Sequence, residues 1–483
     1  MRKNTFKLLL GGLLVLCVAC GKTVPQESSS STDTTKLPAN YYPNFFAFNI
    51  MNVYYLWADE VKAGLSKWSY GEDPVAKVES LRYKDDSGNE VDKWTELMED
   101  YSVFQSAITG NGKTFGLEFV LFKNDNDEVG MVVTFTYADS PAEKAGIKRG
   151  DIITTFNGGT INISNYATFL NEEFYYNPGT LELGLRDGRS IKLTAVQMYS
   201  NPVHTVKTLD VKGKKIGYLH FTSFTPDASS ALEDAFRKFK AEGIEELVLD
   251  LRYNTGGSVN TATALASMIA PTEALESGAV FIQEVYNSIL GASMGAETTF
   301  VKSLDVETSE GKKTINSLEV NPGIKHLWAI TTGHSASASE MILCGLAPYM
   351  DVTLVGSTTY GKFCGGYLIP AETWFDAISK EAKDLDVAAA KKATDKWGIY
   401  VIVSKYADCN GVTRSMPFGM AADYAATDNP TDGYELGDPK ESMLSAVIAL
   451  STAGVYAAPE VKSASVMAET LPFEKPGTGA LIY

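Results

Sequence analysis

Three serines and one lysine in a single stretch carry the chemistry this chain could do. From Thr331 to Gly366 it reads TTGHSASASEMILCGLAPYMDVTLVGSTTYGKFCGG, with Ser335, Ser337 and Ser339 ahead of Lys362, which stands 25 positions after Ser337. A serine hydroxyl and a lysine amine make a nucleophile and its base, provided the amine is desolvated enough to be neutral near pH 7. Met341, Ile342, Leu343 and Leu346 recur at helical spacing behind the serines, so the serines lie where a strand gives way to a helix. A nucleophile there faces the positive end of the helix dipole, with free backbone N–H groups beside it. The apolar run VTLVGS predicts a second strand that returns Lys362 to the same edge of the sheet.

Competing chemistries are less well supported. Gly356 to Lys362 spells GxxxxGK, but Phe363 stands where a magnesium-binding Ser or Thr belongs, which argues against a nucleotide site. His220 and His334 could supply a histidine base instead; His334 is only three residues before Ser337, and His220 lies on an expected strand. No HExxH or paired CxxC pattern occurs, so no catalytic metal is implied. Cys364 reads as a small loop residue, with a redox role or a bridge to Cys344 as alternatives. Arg149-Gly150-Asp151 spells an adhesion tripeptide but reads as a turn.

These residues need a scaffold, and 483 residues with 45% hydrophobic content allow two or three domains with real cores. A net charge of −17 without a Lys/Arg cluster argues against nucleic acid as a partner. The start, MRKNTFKLLLGGLLVLCVAC, has a basic end and an apolar run too short to span a bilayer, so residues 1–20 read as a signal peptide. Ala19-Cys20-Gly21 reads as a lipoprotein cleavage site with Cys20 as the lipidated residue; cleavage before Cys17 is the alternative. With only Cys344, Cys364 and Cys409 left, the mature chain is not a disulfide scaffold. Residues 21–40 are rich in Ser, Thr and Pro and predict a flexible tether.

Aromatic content then rises, and 41–110 predicts a small helical domain with Ile50, Val53, Tyr54 and Trp57 on one face. From Pro202 onward the pattern changes again. KKIGYLHFTSF alternates as a strand, a helix follows with Leu232, Phe236 and Phe239 on one face, and IEELVLDLR returns as a strand. That order predicts a mixed α/β core over 203–460, followed by a tail at 461–483.

SASASE, a strand and then TYGK, together with Asp250-Leu251-Arg252-Tyr253-Asn254-Thr255-Gly256-Gly257, resemble the motifs of the C-terminal processing peptidases, or tail-specific proteases. The resemblance covers nearly all of the chain after the tether. It implies Ser337 as nucleophile, Lys362 as base, and an oxyanion hole formed by the Ala338 N–H with Gly256 or Gly257. Asp250 and Arg252 are expected to form a structural pair. The implied fold is a crotonase-like ββα peptidase core with an inserted PDZ domain and a small N-terminal helical domain. Residues 113–200 carry the PDZ resemblance: in ADSPAEKAGIKRGDIITTFNG, Ser140 can cap a short helix, Pro141 suits its first turn and Gly146 can end it. Gly116, Leu117, Glu118 and Phe119 occupy the place of the loop that captures a peptide's C-terminal carboxylate.

The implied partners are polypeptides bound by their C-termini and a membrane reached through lipid on Cys20, at the periplasmic face of a bacterial outer membrane. No cofactor is implied. One position departs from the family: Gly366 stands where a glutamine is common. The alternative reading is a non-catalytic or latent envelope lipoprotein that binds peptide through the PDZ domain.

Overall fold

The computed structural model describes residues 37–455, apart from 125, 295–296, 309–310 and 415–417, and the short strands at 469–470, 473–474 and 481–482. The expected leader, its lipidated Cys20 and the tether as far as residue 36 lie outside the described residues, as does most of the tail. The chain divides into two compact units, one from the described parts of 1–102, 284–296 and 364–405, the other from 103–283, 297–363 and 406–483.

The first unit begins with the helix Tyr41–Tyr54, which buries Phe46, Ile50, Met51 and Val53. Buried Asn44 accepts the indole N–H of Trp68 at 2.8 Å and donates to the Tyr70 and Glu72 carbonyls, tying the next segment onto that helix. Phe45 and Phe46 pack against Trp374 and Phe375 of the helix Ala371–Ile378. Strand Gly398–Ala407 pairs antiparallel with Glu96–Met98 on one side and Cys364–Pro370 on the other. Residues 284–294 and 364–405, expected within the peptidase core, thus cluster with the N-terminal segment. The physical reason is cover: the aromatic rings of the helix Tyr41–Tyr54 need an apolar face, and Trp374 and Phe375 supply it.

The second unit holds two large sheets and, among the described residues, three two-stranded ones. In chain order its main elements are β1 (Leu117–Lys123), β2 (Val129–Thr136), β3 (Ile152–Phe156), β4 (Thr180–Leu185), β5 (Ser190–Thr194), β6 (Val203–Val211) and β7 (Lys214–Phe221). Then come α1 (Ala228–Glu242), β8 (Glu246–Asp250), α2 (Val259–Ile269), β9 (His326–Thr331), α3 (Ala338–Leu346), β10 (Asp351–Gly356), β11 (Tyr424–Ala425), α4 (Ser442–Ala453) and β12 (Glu469–Thr470). The first sheet runs β12-β1-β2-β3-β4-β5, closed over a core of Phe115, Leu117, Phe119, Met131, Ile153 and Phe174. Ser140 caps the helix Pro141–Lys144 by accepting the Glu143 N–H.

The second sheet runs β6-β7-β8-β9-β10-β11, antiparallel at β6–β7 and parallel thereafter. Parallel strands are covered on both faces and therefore read as apolar runs. Leu247, Leu249, Leu327 and Ala329 face a core made with α1, α2 and α3, while Val248, Trp328 and Ile330 face α4 through Met443, Leu444 and Val447. On α1 the expected stripe Leu232, Phe236 and Phe239 is fully buried. At about 1.5–3 kcal/mol for each such side chain, burial outweighs propensity differences below about 1 kcal/mol per residue. Packing therefore fixes this helix. The architecture is mixed α/β, as expected.

Candidate active site

Parallel pairing brings three strand ends to one edge. Asp250 lies opposite Ile330, and Thr331 lies opposite Gly356, so β8, β9 and β10 finish side by side. The loops that leave them carry Gly256 and Gly257, the serine turn, and Lys362 respectively. In open α/β sheets the crevice outside the carboxyl ends of the strands is where ligands bind.

The three serines separate into different roles. Ser335 Oγ donates to the Leu251 carbonyl at 2.8 Å and accepts the Thr332 N–H, while Ser339 Oγ donates to the Asn254 carbonyl at 2.9 Å. The Ala336 N–H also reaches the Asn254 carbonyl, so the turn is laced to the β8 loop on both sides of Ser337. Ser337 itself is half-buried and adopts φ 56° and ψ −111°. A non-glycine residue at positive φ costs about 1–3 kcal/mol and is retained where its surroundings over-determine it. The strained, partly accessible middle serine opens α3, whose first residue, Ala338, has an N–H with no place in the helical ladder.

Glu340 was given no role by the sequence reading, and it organises the site. Its Oε2 accepts the Ser337 N–H at 3.0 Å, and its Oε1 accepts the Gly361 N–H at 2.8 Å and the Thr359 hydroxyl. A carboxylate on the helix that Ser337 opens thereby grips the loop that carries Lys362. Burial pushes its pKa above the usual glutamate range, against the bonds from Thr359, Gly361, Ser337 and the Lys362 backbone. The Tyr360 N–H adds a link to the Ser335 carbonyl at 3.0 Å. Lys362 is buried, at 4% exposure. The usable signal was Ser337-x-x-Glu340, the spacing of a capping box.

The glycine loop lies against the serine. A Cβ at position 256 would lie 2.8 Å from Ser337 Cβ and 2.9 Å from Ala338 N, and φ at Gly256 is +104°. The Gly256 N–H is already donated to Asn254 Oδ1 at 2.8 Å. Its carbonyl accepts from Phe224, and Ser258 donates to the Phe224 carbonyl, a bridge that flanks Gly257 and leaves its N–H unused among the described residues. Of the two glycines, Gly257 is the one with a donor to offer.

Asp250 and Arg252 form the expected pair, within a larger network. Fully buried Arg252 also binds Glu441 at 2.6 Å and Asp428 at 2.9 Å. Arg149 of the adhesion-like tripeptide is buried too, donating to the Thr134 carbonyl, the Tyr253 hydroxyl and, at 2.7 Å, to Asp428. Burial alone would raise the Asp428 carboxyl, but Arg149 and Arg252 hold it below the usual range. His220 packs against Phe135 and His204, with neither ring nitrogen hydrogen-bonded, and burial first and His204 second drive its pKa well down. A ring so placed is a packing element. His334 is half-buried, its ring 6.5 Å from that of Tyr253.

Gly116 precedes β1 and donates its N–H to Thr114 Oγ1, while Leu117 and Phe119 turn into the core of the first sheet. Leu117, Glu118, Phe119 and Val120 border a cavity of about 210 Å³ whose other walls include Tyr137, Thr222, Tyr253, Thr255 and His334. The cavity therefore runs from the β1 edge to the loops beside Gly256 and Ser337. Gly366 has no room for a longer side chain: a Cβ would lie 2.6 Å from the Val401 carbonyl oxygen and 2.7 Å from the Tyr400 ring. Cys344, Cys364 and Cys409 are free thiols, which corrects the alternative of a bridge between Cys344 and Cys364.

Residues 215–374 match the model of peptidase family S41. The chain is 28% identical over 274 residues to a "Probable CtpA-like serine protease" of Staphylococcus aureus (strain N315), covering 56% of this chain and 49% of that protein. A protein of the same description from Staphylococcus haemolyticus (strain JCSC1435) is 26% identical over the same length. The chain thus spans about half the length of these curated relatives. Among solved structures, an S41 protease from Bacteroides fragilis NCTC 9343 aligns with a TM-score of 0.63 at 20% identity, over 89% of this chain and 100% of that one, a likeness of fold.

Proposed function

We propose, given that residues 215–374 match the model of peptidase family S41, that this chain is a serine endopeptidase of the C-terminal processing type. The observation that carries the reading is the Glu340 bridge between the Ser337 turn and the Lys362 loop at the aligned ends of β9 and β10. It gives a serine and a buried lysine one rigid frame, and serine with lysine is a nucleophile with its base.

In this reading Ser337 Oγ attacks the carbonyl carbon of a peptide bond as Lys362 Nζ takes the hydroxyl proton. The oxyanion that forms is held by the N–H groups of Ala338 and Gly257. Collapse breaks the C–N bond, and the Lys362 ammonium gives its proton to the departing amine. The acyl ester on Ser337 is then attacked by water, whose proton returns to Lys362, and a second collapse frees the carboxylate and restores the serine.

Residues 113–200 act as a PDZ domain in this reading. A substrate's C-terminal carboxylate is captured at Gly116–Phe119, where the Gly116 N–H is already donated to Thr114 Oγ1. Its extended chain lies along β1 toward the cavity, which supports the route from docking edge to serine. A lipid on Cys20 would hold the enzyme at the envelope. The test compares cleavage of an unfolded protein bearing a free, apolar C-terminus with that of the same protein amidated. Slower cleavage of the amidated form is expected, and equal rates would overturn carboxylate capture.

A further inference from the structure

The outer edge of β1 already has an occupant. On its inner side β1 pairs with β2 along its whole length, from Leu117 to Lys123. On its outer side it pairs with β12, antiparallel, with Glu469 opposite Lys123 and Thr470 opposite Phe122. β12 reaches no farther than Phe122, and the remainder of that edge runs from Leu121 to Leu117. Most of it borders the cavity that leads to Thr255 and His334.

A strand edge is a row of unpaired donors and acceptors, and an extended chain laid on it gains main-chain bonds whatever its sequence. Direction is the informative feature. Because β12 is antiparallel to β1, its N-to-C sense runs from Lys123 toward Leu117 and Gly116. A ligand held by its C-terminal carboxylate at Gly116–Phe119 would run the same way. The chain's own segment therefore enters the edge as such a ligand would, at the end farther from the carboxylate loop.

We propose that the segment carrying Glu469 and Thr470 is an intramolecular ligand of the docking edge, which an incoming polypeptide must displace. The inference rests on β1 being the docking strand for substrate. Two paired residues would not hold a separate peptide, but a tether supplies an effective concentration on the order of millimolar, enough for a weak contact to compete with dilute substrate. The occupant is a latch that lowers apparent affinity. If it covers the edge nine-tenths of the time, substrate binds about tenfold more weakly than to a bare edge.

The test uses a dye-labelled peptide of Thr-Val repeats with a free carboxylate, long enough to span the edge from Gly116 to Lys123, its binding read by fluorescence anisotropy. Three chains carry Ser337→Ala to prevent cleavage: the full chain, one ended after Val455, and a full-length Glu469→Pro variant that removes a strand N–H. The proposal expects a Kd about tenfold lower for the second and third chains, and a return to weak binding when a synthetic peptide of residues 461–483 is added to the second. Equal Kd values in all three would overturn the latch and leave the docking strand standing. No binding to any of them would overturn the docking strand, and the latch with it.

Discussion

Glu340 accepts the Gly361 N–H at 2.8 Å across 21 residues of sequence, while its other oxygen holds the Ser337 N–H at 3.0 Å. One side chain thus sets the distance between the Ser337 turn and the Lys362 loop, which follow different strands. Glu340→Gln keeps the shape but turns one acceptor into a donor facing backbone N–H groups. A shift of the Lys362 loop by about 1 Å is enough to cost about 100-fold, so kcat should fall by about that factor with KM little changed. Because burial raises the Glu340 carboxyl, it takes up a proton above the ordinary value of 4.5 as pH falls. Activity should accordingly drop reversibly on the acid side while the fold persists, and pH–rate profiles of parent and variant check this.

Gly256 approaches Ser337 too closely for any side chain. In Gly256→Ala the added methyl would meet Ser337 Cβ at 2.8 Å and backbone atoms of Ala336 and Ala338 at 2.9 Å, at a φ of +104°. Backbone neighbours cannot swing aside. The variant should lose about 1–3 kcal/mol of stability and nearly all activity, as measured by denaturant titration and peptide cleavage.

Arg252 is buried among Asp250, Asp428 and Glu441. Replacing it with methionine leaves buried Asp250 without a counter-charge, while Arg149 stays beside Asp428 and Glu441, at a cost of about 3–5 kcal/mol. Chemical denaturation of Arg252→Met should show that loss even though no atom of Arg252 belongs to the proposed chemistry.

Buried His220 and half-buried His204 set a pH window for stability. Burial lowers both His204 and His220 from their ordinary 6.5. The unfolded chain therefore takes up protons that the native state refuses. The stabilisation is fully present above about pH 6.5 and is lost as pH falls toward the native values, at up to about 1.4 kcal/mol per pH unit for each histidine. Thermal unfolding of His220→Phe across this range should show a shallower slope than the parent. An unchanged slope would mean that His220 takes its proton in the native state as readily as in the unfolded one.

The parts of this site that sequence reveals are those written locally. Ser337, Lys362, Gly256 and Gly257 lie on short motifs at strand ends, and apolar periodicity predicts the strands and helices that carry them. Glu340 was legible in the same way, through its spacing from Ser337, although its reach to Gly361 depends on the parallel register of β9 and β10. Arg149 was not legible. Its neighbours spell a turn, and the partner that explains its burial, Asp428, lies 279 residues away. The same holds for 364–405: an aromatic helix at 41–54 announces that it needs cover but not which later segment provides it.

The central claim is the pairing of Ser337 with Lys362. It is tested most directly by incubating an unfolded protein having a free, apolar C-terminus with the chain from Leu37 onward, beside its Ser337→Ala and Lys362→Ala variants, and following intact substrate by mass spectrometry. The account predicts cleavage by the parent and none by either variant, with all three melting as folded proteins. Cleavage retained by Ser337→Ala, or most of the activity retained by Lys362→Ala, would contradict it.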